Sequence, residues 1–215
     1  MPGPILPPRA SDLEPYLGLV HRKEWREAYH LLGEGLDVQD SLQIRFVLEF
    51  GAQMPDEDYW YLVQESYKHA FRGLDAVTNE QLRWLFTSRP GIESLMSDDE
   101  RCILTEFDES MPLYRGYHDP SRLYRFSWTP HERNAARFAL LWHDLSGGDP
   151  MIAKATVRKG GVLIVWHYEA EAIVDPDYIN LSGTYPVPER YWALFKYEDA
   201  FRKRFHRDPC EGYLA

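Results

Sequence analysis

Two cysteines, Cys102 and Cys210, are all that the 215 residues contain. They stand too far apart for the C-x-x-C spacing of a redox or zinc site. A small domain stapled by disulfides is therefore excluded, and a reducing cytoplasm is the expected setting, reached by residence or by delivery into a target cell. Long apolar runs are also missing: no stretch approaches the roughly 20 residues needed to span a bilayer, so no membrane partner is expected. The opening MPGPILPPRA has no basic region ahead of an apolar core. Residues 1–10 thus read as a proline-rich lead-in and not as a secretory signal. Internal repeats and low-complexity tracts are absent.

Positive charge is scarce in the front half. Residues 1–110 carry 21 acidic and 10 basic side chains (net −11), and residues 111–215 carry 13 and 14 (net +1), which together give the chain its −10. An acidic surface repels phosphate, so non-specific nucleic-acid binding is not expected. The basic cluster Arg202, Lys203, Arg204 and Arg207 reads as the last turn of a closing helix, where cations suit the macrodipole.

What the chain does have is apolar residues at 44% and aromatics at 14%, enough for a substantial core. From residue 11 to 108 the apolar residues recur at three- and four-residue intervals, interrupted at Gly33, Gly35, Pro55 and Gly73, which predicts helices. Thr78 with Gln81 and Ser97 with Glu100 have the form of capping boxes. Trp25, Tyr29, Tyr59, Trp60 and Trp84 belong to a helical core on this reading. After about residue 109 the texture changes. PLYRGY, LYRFSWT, MIAKATVRKG, GVLIVWHY and EAIVD are short β-branched and aromatic stretches that predict strands, with Lys159-Gly160-Gly161 as a tight turn. The expected class is α+β: an all-helical region over 11–108, then a core of short mixed or antiparallel strands with a few helices over 109–215.

Four places in the strand-rich half ask for chemistry. Arg115, in LYRGY, needs an anionic or polar partner if its guanidinium is to be covered; a carboxylate would serve, and so would a phosphate held bidentately. Gly116 beside it allows another group to approach the backbone. Thr129, Pro130 and Glu132 have the spacing of a helix start, with Thr129 as N-cap and Glu132 completing a capping box. That leaves Ser127 at a strand end, and Trp128, which faces the other way into the core. Glu169 and Glu171, two apart in a strand, share one face. A solvent-facing edge tolerates such a like-charged pair, and a site that needs carboxylates uses it. A metal centre built from His118, Asp119, His131, Glu132 and His143 is disfavoured, because His131 and His143 lie more than three helical turns apart.

The order of these features resembles the R-S-E class of mono-ADP-ribosyltransferases over about residues 111–180. An arginine stands in a Y-R-G strand, then Ser-x-Thr (Ser127, Trp128, Thr129) precedes a helix with A-x-x-F-A (Ala135 to Ala139). Glu-x-Glu (Glu169, Ala170, Glu171) follows, with aliphatic residues and a proline after it. The resemblance implies an ADP-ribosyltransferase-like fold, NAD as substrate, and transfer of ADP-ribose to an acceptor macromolecule such as protein arginine, without a metal. It implies that Arg115, with Gly116, holds the NAD phosphates, and that Ser127 and Thr129 orient Glu171 and the nicotinamide-ribose. Glu171 stabilises the oxocarbenium-like centre as nicotinamide leaves, and Glu169 positions the nucleophile. Tyr117, Tyr124 or Trp128 stacks on nicotinamide or adenine. Eleven residues separate Arg115 from Ser127, fewer than in many members of the class, in which helices intervene. Two other readings stay open: an NAD glycohydrolase on the same fold, and an inactive interaction protein that docks through its acidic helical half.

Overall fold

The computed structural model describes residues 11–33, 40–69, 77–167 and 170–196. The chain divides into two compact units between Ser97 and Asp98, and among the described residues no helix is long and apolar enough to cross a membrane. The architecture is α+β, with two small antiparallel sheets confined to the second unit.

The first unit is helical. A 3₁₀ turn over Ser11–Tyr16 leads into α1 (Leu17–His21), followed by α2 (Trp25–Gly33), α3 (Asp40–Phe50), α4 (Asp56–His69) and α5 (Asn79–Thr87). Helix α4 begins directly after Pro55 with Asp56, Glu57 and Asp58 in its first turn, where carboxylates complement the positive end of the helix dipole. Thr78 and Gln81 form the expected capping box at α5. Trp25, Tyr29, Tyr59 and Trp60 are buried in the core as anticipated, and Trp84 is half-buried. The Tyr59 hydroxyl donates to Leu85 O at 2.7 Å. The Arg89 guanidinium lies 4.3 Å from the Tyr59 ring centroid and donates to Met54 O and the Asp56 carboxylate, both at 2.8 Å.

The second unit opens with α6 (Asp98–Glu106), which continues into β1 (Ser110–Tyr117), β2 (Ser127–Trp128), α7 (Glu132–Ser146), β3 (Met151–Arg158), β4 (Val162–Trp166), β5 (Glu171–Val174) and β6 (Ile179–Pro186); residues 189–196 are helical. One sheet has the order β1-β3-β6 and the other β2-β5-β4, with every described pairing antiparallel. A single bridge, Tyr114 with Thr129, joins the two at β1 and β2. The core between the sheets contains Leu113, Tyr117, Trp128, Ala153, Ala155, Val157, Val162, Val165, Ala172 and Val174. On the other side of β1 and β3, α7 buries Ala135, Ala136, Ala139 and Leu140 with Ile152 and Val187.

Three expectations are corrected. The strand expected over LYRFSWT shrinks to Ser127–Trp128, because the turn begun by the 3₁₀ segment Pro120–Arg122, where the Asp119 side chain accepts the Ser121 N–H at 2.9 Å, runs on through Leu123 and Tyr124. The helix expected to start at Pro130 starts at Glu132, with His131 as N-cap. Strand β6 was not anticipated. Its residues alternate between half-buried and exposed, as an edge strand does. Lys159–Gly161 is indeed the turn after β3, in 3₁₀ form, but it links strands of different sheets. The basic cluster Arg202, Lys203, Arg204 and Arg207, together with Cys210, Gly35 and Gly73, lies outside the described residues.

Candidate functional site

The three residue types singled out in the sequence lie on three strands that are lateral neighbours: Arg115 on β1, Ser127 on β2 and Glu171 on β5. Their register decides what they can share. Ser127 is opposite Ile173 and Trp128 is opposite Ala172. Directly opposed residues of an antiparallel ladder project to one face, and residues two apart along a strand do likewise. Ser127 and Thr129 therefore share a face with Glu171 and Ile173, while Trp128, Ala172 and Val174 point into the core between the sheets. Trp128 is 1% exposed, and its indole N–H donates to Arg125 O at 2.8 Å, as befits a buried tryptophan.

Arg115 is rooted on the other side. Because Tyr114 is bridged to Thr129, Tyr114 shares the Ser127 face and its neighbour Arg115 shares the Trp128 face. Its guanidinium reaches the gap between the strands instead: Nη1 donates to Ser127 O at 2.5 Å and Nε to Arg122 O at 2.9 Å. Beyond the Tyr114–Thr129 bridge the two strands part, so the Ser127 carbonyl on the β1 side lacks a ladder partner, and Arg115 supplies one. A part-buried carbonyl that would otherwise go unmet costs about 1–3 kcal/mol. Main-chain carbonyls are a partner that neither the carboxylate nor the phosphate reading of Arg115 named.

Other expected site residues are engaged in structure. Gly116 admits a close neighbour as foreseen, but that neighbour is α7: a Cβ on Gly116 would stand 1.9 Å from Ala135 O, which leaves no room on that face for a cofactor. Thr129 is buried, its N–H and C=O pair with Tyr114, and its hydroxyl oxygen accepts the His131 N–H at 3.2 Å. It therefore shapes the lead-in to α7 without the expected capping box, since its own N–H is taken by the bridge. Tyr117 belongs to the core, which removes it as a stacking platform, whereas Tyr124 is 47% exposed.

Glu171 is half-buried at the start of β5, opposite Trp166. Glu169 lies outside the described residues. Ala170 adopts a left-handed φ of 47° and donates its N–H to His167 O at 3.0 Å. Ala170 thus belongs to a turn, and β5 does not extend back through it. The shared face expected for Glu169 and Glu171 therefore involves a residue outside the described ones.

Two carboxylates that the sequence reading assigned to capping have partners distant in sequence. Glu132 accepts from the Tyr185 hydroxyl at 2.9 Å, the Tyr191 hydroxyl at 3.2 Å and Arg190 Nη2 at 3.2 Å. Burial pushes the Tyr185 phenol up from its ordinary range, and the hydrogen bond to the Glu132 carboxylate adds to that. Glu100, near the start of α6, accepts the His167 N–H at 2.8 Å. Spacing rules look only within a helix, so neither of these distant partners was foreseen. Of the histidines weighed for a metal, His118 stacks on Trp142 at 6.0 Å between ring centroids, and the far side-chain nitrogen-bearing ring of His143 sits with Nδ1 2.6 Å from Gly148 O. Arg122 also lies over Trp142, 5.0 Å from its ring centroid. No family model, curated protein or solved structure matches the chain.

Proposed function

We propose that the strand-rich unit is an ADP-ribosyltransferase-like core that cleaves the nicotinamide–ribose bond of NAD and passes ADP-ribose to an acceptor, with Glu171 as the carboxylate facing the reacting sugar. The observation that carries this reading is that Ser127 and Glu171 share one face of two paired strands, β2 and β5. A hydroxyl beside a carboxylate can hold it in orientation, and a carboxylate stabilises an oxocarbenium-like centre. The order of Arg115, Ser127 and Glu171 along the chain, carried on three adjoining strands, supports the same reading. Arg115 enters it in an altered role, as the brace of the Ser127 carbonyl. The phosphates of NAD then need another holder, and that role is given to Arg122, whose guanidinium lies 5.0 Å from the Trp142 ring centroid.

The use of Arg115 as a brace also favours a second reading, a transferase-like scaffold that serves as an interaction module without turnover. One experiment separates them. Purified protein is incubated with NAD and nicotinamide release is followed by chromatography. The expected result is turnover that falls by about 10²-fold or more in Glu171→Gln, the scale seen when one group stabilising transition-state charge is removed, with an unchanged circular dichroism spectrum. Equal release by wild type and Glu171→Gln rules out the catalytic role. Label from adenine-tagged NAD recovered in protein, as against free ADP-ribose, distinguishes transfer to an acceptor from hydrolysis.

A further inference from the structure

We propose that Glu100 is a positioning residue for Glu171, acting through the turn between β4 and β5. The inference rests on the reading of Glu171 given above. Glu171 is the first residue of β5, and its cross-strand partner Trp166 is the last of β4. His167 and Ala170, just ahead of Glu171, therefore bear on how it enters its strand. The turn they belong to is held by the Ala170 N–H to His167 O bond, and Ala170 takes a left-handed φ of 47°. A residue with a Cβ resists that conformation, which persists where the surroundings enforce it.

The Glu100 carboxylate supplies such enforcement. Its Oε1 accepts the His167 N–H at 2.8 Å, at the residue whose carbonyl receives Ala170. A carboxylate accepting a backbone N–H is among the stronger hydrogen bonds. Helix α6 is itself fixed at its other end, against the turn between β3 and β4: the Lys159 ammonium donates to Thr105 O at 2.5 Å, and just past the helix Lys159 N–H donates to Glu109 O at 3.1 Å. Glu100 thus reaches the turn from an anchored helix 67 positions away in sequence. His167 is exposed, so water can replace the carboxylate when it is lost. Removal loosens the turn and leaves the unit folded.

The test uses the full chain and three variants, Glu100→Ala, Glu100→Gln and Glu171→Gln. Amide hydrogen exchange is read at His167, Ala170 and Glu171, alongside nicotinamide release from NAD. In Glu100→Ala, exchange at His167 and Ala170 rises by about tenfold or more, while kcat falls about tenfold with KM within about twofold, as expected of a misplaced catalytic group. Glu100→Gln keeps an oxygen that accepts the His167 N–H, and restores both readouts to within about threefold of wild type. A merely structural contribution would lower the unfolding temperature of Glu100→Ala and Glu100→Gln without this separation. Unchanged exchange in Glu100→Ala overturns the contact itself. Raised exchange with wild-type turnover overturns the positioning role. Raised exchange in a protein whose wild type releases no nicotinamide also overturns the proposal, and assigns the failure to the reading of Glu171 and not to the contact.

Discussion

Replacing Gly116 by alanine tests the packing that holds the site strands in place. The new Cβ would stand 1.9 Å from Ala135 O, 2.6 Å from Ala139 N and 2.9 Å from Ala135 C. All three are main-chain atoms of α7, so none can swing aside. Real Cβ atoms essentially never come within 3.0 Å of such a neighbour, and going from 1.9 Å to 3.0 Å requires α7 and β1 to separate by about 1.1 Å. The helix side of this contact is made of Ala135, Ala136 and Ala139, each 0% exposed, whose small size permits the close approach. A gap of roughly 0.5–1 Å forfeits a quarter to a half of each dispersion contact across it, and overpacking adds strain of about 1–3 kcal/mol. The combined cost is about 3 kcal/mol or more. At about 3–6 °C per kcal/mol for a unit of this size, the unfolding temperature should fall by at least about 9 °C. Differential scanning calorimetry reads this directly. Gly183→Ala is the control: nothing lies within 4 Å of its Cβ position, so it should stay within about 0.5 kcal/mol of wild type. A Gly116→Ala protein melting within about 2 °C of wild type would refute the close seating of α7 on β1.

Two further outcomes follow from named contacts. Burial pushes the Tyr59 phenol up to about 12, with the Ser88 hydroxyl and Arg89 pulling the other way. The raised value means stability that is complete below pH 10 and is lost as pH rises through about 12, because the unfolded phenol releases its proton first. Denaturant titrations at pH 9 and pH 11.5 should show a loss in the helical unit on the order of 2 kcal/mol. Tyr59→Phe should remove that part of the alkaline loss; an equal loss in the variant would contradict it. Glu132→Gln should bring the Tyr185 phenol back toward its ordinary range, seen by NMR at the ring Cζ, and cost about 1–2 kcal/mol through the weakened contacts to Tyr185, Tyr191 and Arg190. A Tyr185 titration that ignores the substitution would show that this carboxylate does not govern it.

The parts of the fold that were readable from the chain are those governed by local chemistry. Thr78 and Gln81 satisfy each other across three residues, so a capping box predicted from spacing appears as one. The alternation in β3, from Ala153 through Arg158, is set by which face meets the core, and it survives as a buried and exposed pattern. The errors arise where a distant partner outbids the local one. Glu132 has the spacing to cap its own helix, yet Tyr185, Tyr191 and Arg190 take its oxygens from more than 50 positions away. Thr129 could not start the helix because its C=O accepts the Tyr114 N–H instead of a helical one, and its N–H, which a capping box would offer to Glu132, goes to Tyr114 O. In β6 the apolar positions Ile179, Leu181 and Tyr185 do alternate with polar ones, but Gly183 interrupts the series and the exposed edge keeps the apolar count low.

The candidate site divides in the same way. That Trp128 faces the core and Ser127 faces away follows from two-residue periodicity, and the register confirms it without reference to function. The position of Arg115 could not be read so. Its Cβ side is dictated by the alternation of β1, but the destination of its guanidinium depends on β1 and β2 meeting at a single bridge and then parting. A continuous ladder would have given the Ser127 carbonyl a backbone donor and released Arg115 for a ligand. The parted strands make the arginine part of the sheet's own hydrogen bonding. The physical consequence is that Arg115 and Ser127 form one unit: a substitution that removes the guanidinium moves the strand end carrying the serine, whatever molecule the opposite face receives.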